Sequence, residues 1–278
     1  MEKNAEELKK IADQIRIDTF KAIAEAGGGH FGGSLSIIEI LTVLYFLEMQ
    51  IDPLNPKDSS RDIFVLSKGH GGPALYATLA RRGFFPYDEL ARTLDRPFSK
   101  FPKHIDRTKL ESIELSTGPL GQGLSMACGI AISLKQQNKN NRVYVLISDG
   151  ELNSGQTWEA AMLASKYKLD NVIAIIDWNK SQVDGPTGEV MPTDPLDSKW
   201  KAFGWQVFKT DGHSIGSIIA AIDSAKIRNS IPKVIIASTV KGFGVSFMEN
   251  NAEWHSGKLD REQFELGLKQ LQDRITCQ

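Results

Sequence analysis

Two polar side chains follow two apolar runs at a spacing that suits a metal site. The run at 143–147 ends at Asp149-Gly150, and the run at 172–176 ends at Asp177-Trp178-Asn179. Residues 158–167 between them have the composition of a crossover helix, so the unit should be strand, helix, strand, with both carboxyl ends at one sheet edge. Carboxylate and amide oxygens are ligands that Mg²⁺ takes when it also holds phosphates. The sequence predicts a magnesium-diphosphate site at Asp149 and Asn179.

The surrounding pattern alternates strands with helices. Further strands are predicted at 62–67, 205–208 and 234–237, and helices at 36–48, 124–136, 215–225 and about 260–275. Residues 83–114 should form helix pieces and a long loop. The loop at 30–34 is expected to precede a helix that Ser34 caps. This pattern predicts one α/β domain over 1–278, with an open, mainly parallel sheet and helices on both faces. His70 and Lys241 follow strand ends, where ligands of such sheets bind.

Composition excludes several classes of protein. Lys plus Arg total 33 against 34 Asp plus Glu, which gives no long-range attraction for nucleic acid or an anionic membrane. Cys128 and Cys277 are far apart, so a disulfide framework is not expected. The N-terminus is charged and lacks the apolar core of a signal peptide. The apolar passage at 37–46 is too short to span a bilayer. We expect a cytoplasmic protein.

Several motifs together carry a resemblance to a known family. Asp149-Gly150 with Asn179 resembles the thiamine-diphosphate signature, except that Ser148 replaces its first glycine. The whole chain resembles the N-terminal half of a transketolase, whose thiamine-diphosphate-binding fold is the PP-type domain. The motifs follow the family order and are His30-Phe31-Gly32-Gly33-Ser34, Leu66-Ser67-Lys68-Gly69-His70, Ser116-Thr117-Gly118-Pro119-Leu120-Gly121-Gln122-Gly123, Gly155-Gln156-Thr157-Trp158-Glu159-Ala160, Gln182-Val183-Asp184-Gly185 and Thr239-Val240-Lys241-Gly242.

The resemblance implies thiamine diphosphate and Mg²⁺, or another divalent cation such as Ca²⁺ or Mn²⁺, as cofactors. Asp149, Asn179 and the main-chain carbonyl of Ser181 would ligate the metal ion. The cofactor-binding residues that the resemblance implies are His70, Gly118, Leu120, Asp149, Gly150, Glu159, Asn179, Lys241 and His255. For Lys241, a solvated lysine in a turn is the alternative interpretation.

Four of the five histidines align with histidines that line the family's substrate and cofactor channel. We assign His30 and His104 to the substrate oxygens and protons, with His255 assisting and His70 closer to the diphosphate. Neutral histidines suit such proton transfers because they both donate and accept near neutrality. The fifth, His213, is expected to shape a turn.

The family's activating glutamate lies in a pyrimidine-binding domain that this sequence does not contain. We therefore expect no catalysis by the chain alone. A truncated chain and a split enzyme both explain this. The start at Met and a plausible terminal helix favour the split enzyme, with a separate C-terminal subunit, an α2β2 heterotetramer and sugar phosphate substrates.

Three positions depart from the family pattern. Phe31 and Ile105 replace the family's prolines after His30 and His104, where they are expected to border the substrate channel. Ser154 replaces a glutamate that the family commonly has just before Gly155, while Glu159 remains. Donor and acceptor preference is therefore open, or the changes are ordinary drift. A relative acting on another sugar or on a 2-oxo acid donor is an alternative, and a non-catalytic scaffold subunit is disfavoured because it has no need for magnesium ligands and channel histidines.

Overall fold

The computed structural model describes residues 4–276 and contains a five-stranded sheet. The strands are β1 (Ile63–Leu66), β2 (Val143–Ser148), β3 (Val172–Trp178), β4 (Gln206–Asp211) and β5 (Lys233–Ser238). They pair in the order β1-β2-β3-β5-β4, and all four pairings are parallel. Cys277 lies outside the described residues. The predicted parallel α/β sheet is confirmed.

Apolar side chains cover both faces of the sheet, which explains why its central strands read as continuous apolar runs. Tyr144 and Leu146 of β2 belong to one buried cluster, and Val143, Val145 and Ile147 belong to the other. Each face therefore needs its own layer of helices. None of the helices between residues 4 and 276 combines the length and apolar character that crossing a bilayer requires.

Helices pack on each face. The structure defines α1 (Ala5–Glu25), α2 (Phe31–Leu35), α3 (Ile38–Val43), α4 (Gly72–Arg82), α5 (Tyr87–Thr93), α6 (Gly123–Gln136), α7 (Gly155–Lys166), α8 (Thr187–Val190), α9 (Leu196–Ala202), α10 (Ile215–Ala225) and α11 (Arg261–Thr276). The buried apolar residues of α1, α3, α4 and α10 belong to one cluster, and those of α6, α7 and α9 belong to the other.

The segment predicted as one helix at 36–48 is divided. Helix α2 begins at Phe31, inside the predicted loop, α3 ends at Val43, and a π-helical turn follows at Leu44–Glu48. The division lies at Ser36, whose hydroxyl donates to Asp177 of β3 over 2.8 Å. The prediction that Ser34 caps this helix is wrong, because Ser34 is buried within α2 and Ile37 occupies the cap position of α3.

The central strand should be sensitive to loss of apolar volume. Ile175 of β3 is 2% exposed and belongs to the core. We expect Ile175→Ala to lower the free energy of unfolding by about 2–5 kcal/mol, through lost burial and a residual cavity. Urea unfolding measures this. Ile227→Ala, at a 63% exposed position, is the control and should change stability by less than about 0.5 kcal/mol. Equal effects of the two substitutions would contradict the assigned core.

Candidate functional site

A cavity opens at the carboxyl edge of the sheet, where the chemistry-bearing residues were predicted to meet. The register aligns Ser148 of β2 with Asp177 of β3, so the residues that follow both strands emerge side by side. The cavity is lined by Gly33, His70, Leu120, Ser148, Asp149, Gly150, Asn179, Ser181, Gln182, Val183, Asp184, Lys241 and His255. Eight of these residues were predicted as site residues from the sequence.

Three oxygen donors of the predicted metal set lie on this cavity. Asp149 is almost fully buried, and its carboxylate accepts hydrogen bonds from the main-chain N–H groups of Gly150 (2.8 Å) and Lys180 (2.7 Å). The Asn179 side chain donates from Nδ2 to Asp177 over 2.9 Å, which directs its Oδ1 the other way, towards Ser181. Among the described residues, no group of three or more His, Cys, Asp or Glu side chains could hold a metal ion. A cation here would therefore rely partly on amide and main-chain oxygens.

The electrostatics of Asp149 fit a bound cation. Burial, and next the charge of Asp177, raise the pKa of Asp149 to about 6. Two nearby carboxylates that are removed from water disfavour each other's ionised form. A divalent cation between Asp149, Asn179 and Ser181 would offset that repulsion. The donor set therefore fits magnesium.

A buried ion pair between Lys68 and Asp177 lies next to the cavity residue Asn179. The Lys68 ammonium contacts the Asp177 carboxylate, and both side chains are fully inaccessible. Burial alone would raise the pKa of Asp177, but the charge and hydrogen bond of Lys68 outweigh it and hold that pKa below its usual value. Asp177 also accepts hydrogen bonds from the hydroxyl groups of Ser36 and Thr239. The pair also fixes the orientation of the Asn179 side chain, because Asp177 accepts a hydrogen bond from its Nδ2.

Lys241 is buried, which excludes the alternative interpretation of a solvated lysine. Its ammonium donates to the carbonyl oxygen of Gln182 over 3.0 Å and lies 3.4 Å from that of Ser181. Burial, and next the charge of Lys68, lower the pKa of Lys241 to about 8. A cation in this position could meet an anionic group that enters the cavity beside Asp149.

Four histidines gather around one point. The ring centroid of His30 lies 5.7 Å from that of His70, 5.3 Å from that of His104 and 5.4 Å from that of His255. The rings of His70 and His255 are 5.2 Å apart. His70 and His255 line the cavity, whereas His30 and His104 are not among its lining residues, and His104 is exposed. Within residues 4–276, the buried Nδ1 of His30 makes no hydrogen bond, which leaves it available to a ligand.

Three histidines of this cluster are neutral at pH 7. Burial, and next the charge of His104, lower the pKa of His30 to about 4. Burial, and next the charge of Lys241, lower the pKa of His255 to about 4. Burial and Lys68 hold the pKa of His70 well below its usual value. Neutral imidazoles can both donate and accept hydrogen bonds, as proton handling requires.

Glu151 connects the predicted cofactor loop to the strand ends. This buried carboxylate accepts hydrogen bonds from the hydroxyl of Ser67 and from the main-chain N–H of Gly121 (2.8 Å). Gly121 has φ +87°, and a Cβ added there would lie 2.1 Å from Oγ of Ser154, so glycine is required. The neighbouring residue Leu120 lines the cavity. Gly118 faces the His104 ring, 3.5 Å from the position of an added Cβ.

The structure does not bring every predicted residue to the cavity. Glu159 is exposed on α7, and neither Glu159 nor Gly118 is among the residues that line the cavity. The expectation that Phe31 and Ile105 border the channel is wrong, because both side chains are buried in the apolar core. Phe31 packs against Phe20, with ring centroids 5.6 Å apart. Ser154 instead lies against Gly121, beside the cofactor loop.

Lys68, Asp177 and Glu151 were not predicted as site residues from the sequence. One signal could have identified Asp177, since it follows an apolar run and lies two residues before Asn179, on the same face of the strand. Lys68 also follows the end of strand β1 closely. Nothing in the sequence pairs either residue with a partner so distant along the chain.

Comparison with known proteins agrees with this geometry. The family model described as transketolase, thiamine diphosphate binding domain, matches residues 7–272. The chain belongs to the transketolase family. It is similar to the 6-deoxy-6-sulfo-D-fructose transketolase subunit of Clostridium sp. (strain MSTE9), with 46% identity over 96% of both chains. It is also similar to an apulose-4-phosphate transketolase subunit from Actinobacillus succinogenes, with 44% identity over 96% of this chain and 97% of that one.

Solved transketolase structures share the fold. Campylobacter jejuni transketolase superimposes with a TM-score of 0.90 at 30% identity over 97% of this chain. The present chain covers 43% of that protein's length. The thiamine-diphosphate-binding fold inferred from the motifs is therefore confirmed.

The lowered pKa values of the transketolase-type histidine cluster predict acid sensitivity. Between pH 6.5 and about 4, the unfolded chain binds protons that the folded His30 and His255 do not bind. Stability then rises with pH, so the free energy of unfolding should fall as the pH decreases from 6.5 towards 4. His30→Gln should reduce this slope. Urea unfolding at pH 7, 6 and 5 measures it, and an unchanged slope in His30→Gln would contradict the assigned neutral state.

Proposed function

We propose that this chain is the thiamine-diphosphate- and magnesium-binding subunit of a two-component transketolase. The enzyme would transfer a two-carbon ketol unit from a ketose donor to an aldose acceptor. The observation that carries the proposal is that Asp149, Asn179 and Lys241 lie on one cavity with His70 and His255. A single cavity thus combines oxygen ligands, a buried cation and neutral imidazoles, which together serve a diphosphate cofactor and proton transfer.

The charged end of the cofactor would bind at the strand ends. Asp149, Asn179 and the Ser181 carbonyl would hold the divalent cation, and Lys241 with Gly150 would face the diphosphate. Leu120 and Gly118 would contact the ring end through the loop that Glu151 holds. When bound, thiamine diphosphate supplies the electron sink for cleavage and formation of the carbon–carbon bond.

The histidines would handle the substrate. The buried Nδ1 of His30 has no hydrogen-bond partner among the described residues, and the His104 ring is exposed. We assign them to hydrogen bonds with substrate hydroxyl groups and to holding a proton as it moves between oxygens. His255 would assist from the cavity wall, and His70 lies on the cavity with Asp149 and Lys241, where it would orient the cofactor's diphosphate.

A separate partner chain would complete the site. The names of the two relatives reported above describe them as transketolase subunits. Helices α6 and α7 pack side by side, and Met162 and Leu163 of α7 are 52% and 39% exposed. Leu120, just before α6, lines the cavity and is 43% exposed. Exposed apolar area of this kind marks interaction surfaces. We place there the C-terminal subunit that supplies the activating glutamate, in an α2β2 heterotetramer, and Glu159 of α7 would contribute at this interface.

The substrates would be sugar phosphates or sugars with another anionic group. The relatives are named for a sulfonated fructose and for apulose 4-phosphate, and both names specify an anionic substituent. A cytoplasmic location also belongs to this proposal, supported by the charged N-terminal segment and the low cysteine content.

The histidine assignment predicts a loss of chemistry in the assembled enzyme. We expect His30→Ala and His104→Ala each to lower kcat/KM for two-carbon transfer by at least about a hundredfold, the usual contribution of acid–base groups. Thiamine diphosphate affinity, measured by calorimetry on the same assemblies, should change by less than about threefold, because neither residue is assigned to the diphosphate. The chain without its partner should show no transfer. Intact transfer in both variants would exclude the assignment, and full activity of the isolated chain would exclude the partner.

A further inference from the structure

His213 lies outside the histidine cluster, and the proposed reaction does not use it. It follows β4 in the turn Asp211-Gly212-His213, where its main-chain N–H donates to the Asp211 carboxylate over 2.9 Å. Its ring, however, reaches away from the turn. Nδ1 lies 3.1 Å from the carboxylate of Glu39 in α3, and Nε2 accepts the main-chain N–H of Val240 over 2.8 Å.

These two contacts determine which nitrogen carries the proton. A neutral imidazole has one N–H, and Nε2 accepts a hydrogen bond, so the hydrogen lies on Nδ1 and points at Glu39. Burial alone would raise the pKa of Glu39, but Arg16 and the hydrogen bond from His213 outweigh it and lower that pKa to about 2. Glu39 is therefore an ionised acceptor that selects the Nδ1–H form of His213.

Arg16 connects Glu39 to Phe243, at the other end of the 240–243 segment. Its guanidinium contacts Glu39 and donates to the carbonyl oxygen of Phe243 over 3.0 Å. The Phe243 ring stacks on the His213 ring, with centroids 3.6 Å apart. His213 therefore contacts both Val240 and Phe243, and Arg16 contacts Phe243. Glu39 binds both His213 and Arg16.

Lys241, the first of the two residues between these anchors, lines the cavity. Lys241 reaches Gln182 with its ammonium, and the N–H of Gly242 donates to Gly32 of α2 over 3.1 Å. A shift of the main chain at Val240 would therefore displace Lys241, because only one peptide unit separates the two α-carbons. The hydrogen bond from the Val240 N–H to His213 is partly buried, so its loss costs free energy.

We propose that His213 is a positioning residue: as the Nδ1–H tautomer it fixes the main chain at Val240 and thereby holds Lys241 on the cavity. The effect on cofactor binding rests on the proposed function, whereas the effect on the main chain does not. His213 itself touches neither the cavity nor the histidine cluster.

Two substitutions at this position separate the two contacts. In His213→Asn the amide nitrogen can still donate to Glu39, but no acceptor reaches Val240. In His213→Gln the longer side chain can bring Oε1 to the place of Nε2 and accept the Val240 N–H. Glu39→Gln is a third variant. The amide oxygen of the introduced glutamine would accept from Arg16, so its amide N–H would face Nδ1 of His213. Nδ1 would then have to accept, and the proton of His213 would move to Nε2.

The experiment uses the full chain with its partner. Histidine ¹⁵N shifts of the wild type should report Nδ1–H for His213. Hydrogen exchange at the Val240 amide should accelerate about tenfold in His213→Asn and in Glu39→Gln, and stay near wild type in His213→Gln. Thiamine diphosphate affinity in the presence of Mg²⁺ should weaken about tenfold in the first two variants only.

An Nε2–H tautomer in the wild type, or equal Val240 exchange in wild type and His213→Asn, would overturn the proposal. So would unchanged cofactor affinity in His213→Asn when the wild type binds. If the tautomer and the exchange rates are as expected and the wild type binds no thiamine diphosphate, the proposed function fails while the fixing of the main chain by His213 stands.

Discussion

The structure depends on the buried ion pair between Lys68 and Asp177. Asp177 lies inside the sheet, and its carboxylate accepts hydrogen bonds from four side chains of different segments: Ser36, Lys68, Asn179 and Thr239. A buried carboxylate is tolerated only when its charge and lone pairs are satisfied. The ends of β1, β3 and β5 and the junction of α2 with α3 must therefore meet at one place. Loss of one partner from such a pair typically costs about 3–5 kcal/mol.

The charges of Lys68 and Asp177 also influence the pKa values of residues that line the cavity. The Lys68 charge contributes to the lowered pKa values of His70 and Lys241 in the cavity. The Asp177 charge contributes to the raised pKa of Asp149. Positive and negative groups are thus fixed before any ligand enters, so little reorganisation is needed on binding. A dication with a diphosphate would balance Asp149 and Lys241 together.

Much of this arrangement could be predicted from the sequence. The strands read clearly because parallel strands buried on both faces are continuous apolar runs, and the meeting of Asp149 with Asn179 at one edge follows from the crossover rule. What failed depends on long-range contacts. The interruption at Ser36 arises from a hydrogen bond to a residue 141 positions away, and the pairing of Lys68 spans 109 positions. Phe31 was expected at the channel because of its neighbour His30, but the start of α2 turns it into the core.

We propose that the carboxyl edge of the sheet holds a divalent cation together with a diphosphate. Pulsed electron paramagnetic resonance of Mn²⁺ in the assembled protein tests it directly, because Mn²⁺ replaces Mg²⁺ at oxygen ligands. With thiamine diphosphate added, we expect ³¹P hyperfine coupling to the bound Mn²⁺, and loss of that signal in Asp149→Asn. A wild-type protein that shows no ³¹P coupling, or an Asp149→Asn protein that retains it, would exclude this site.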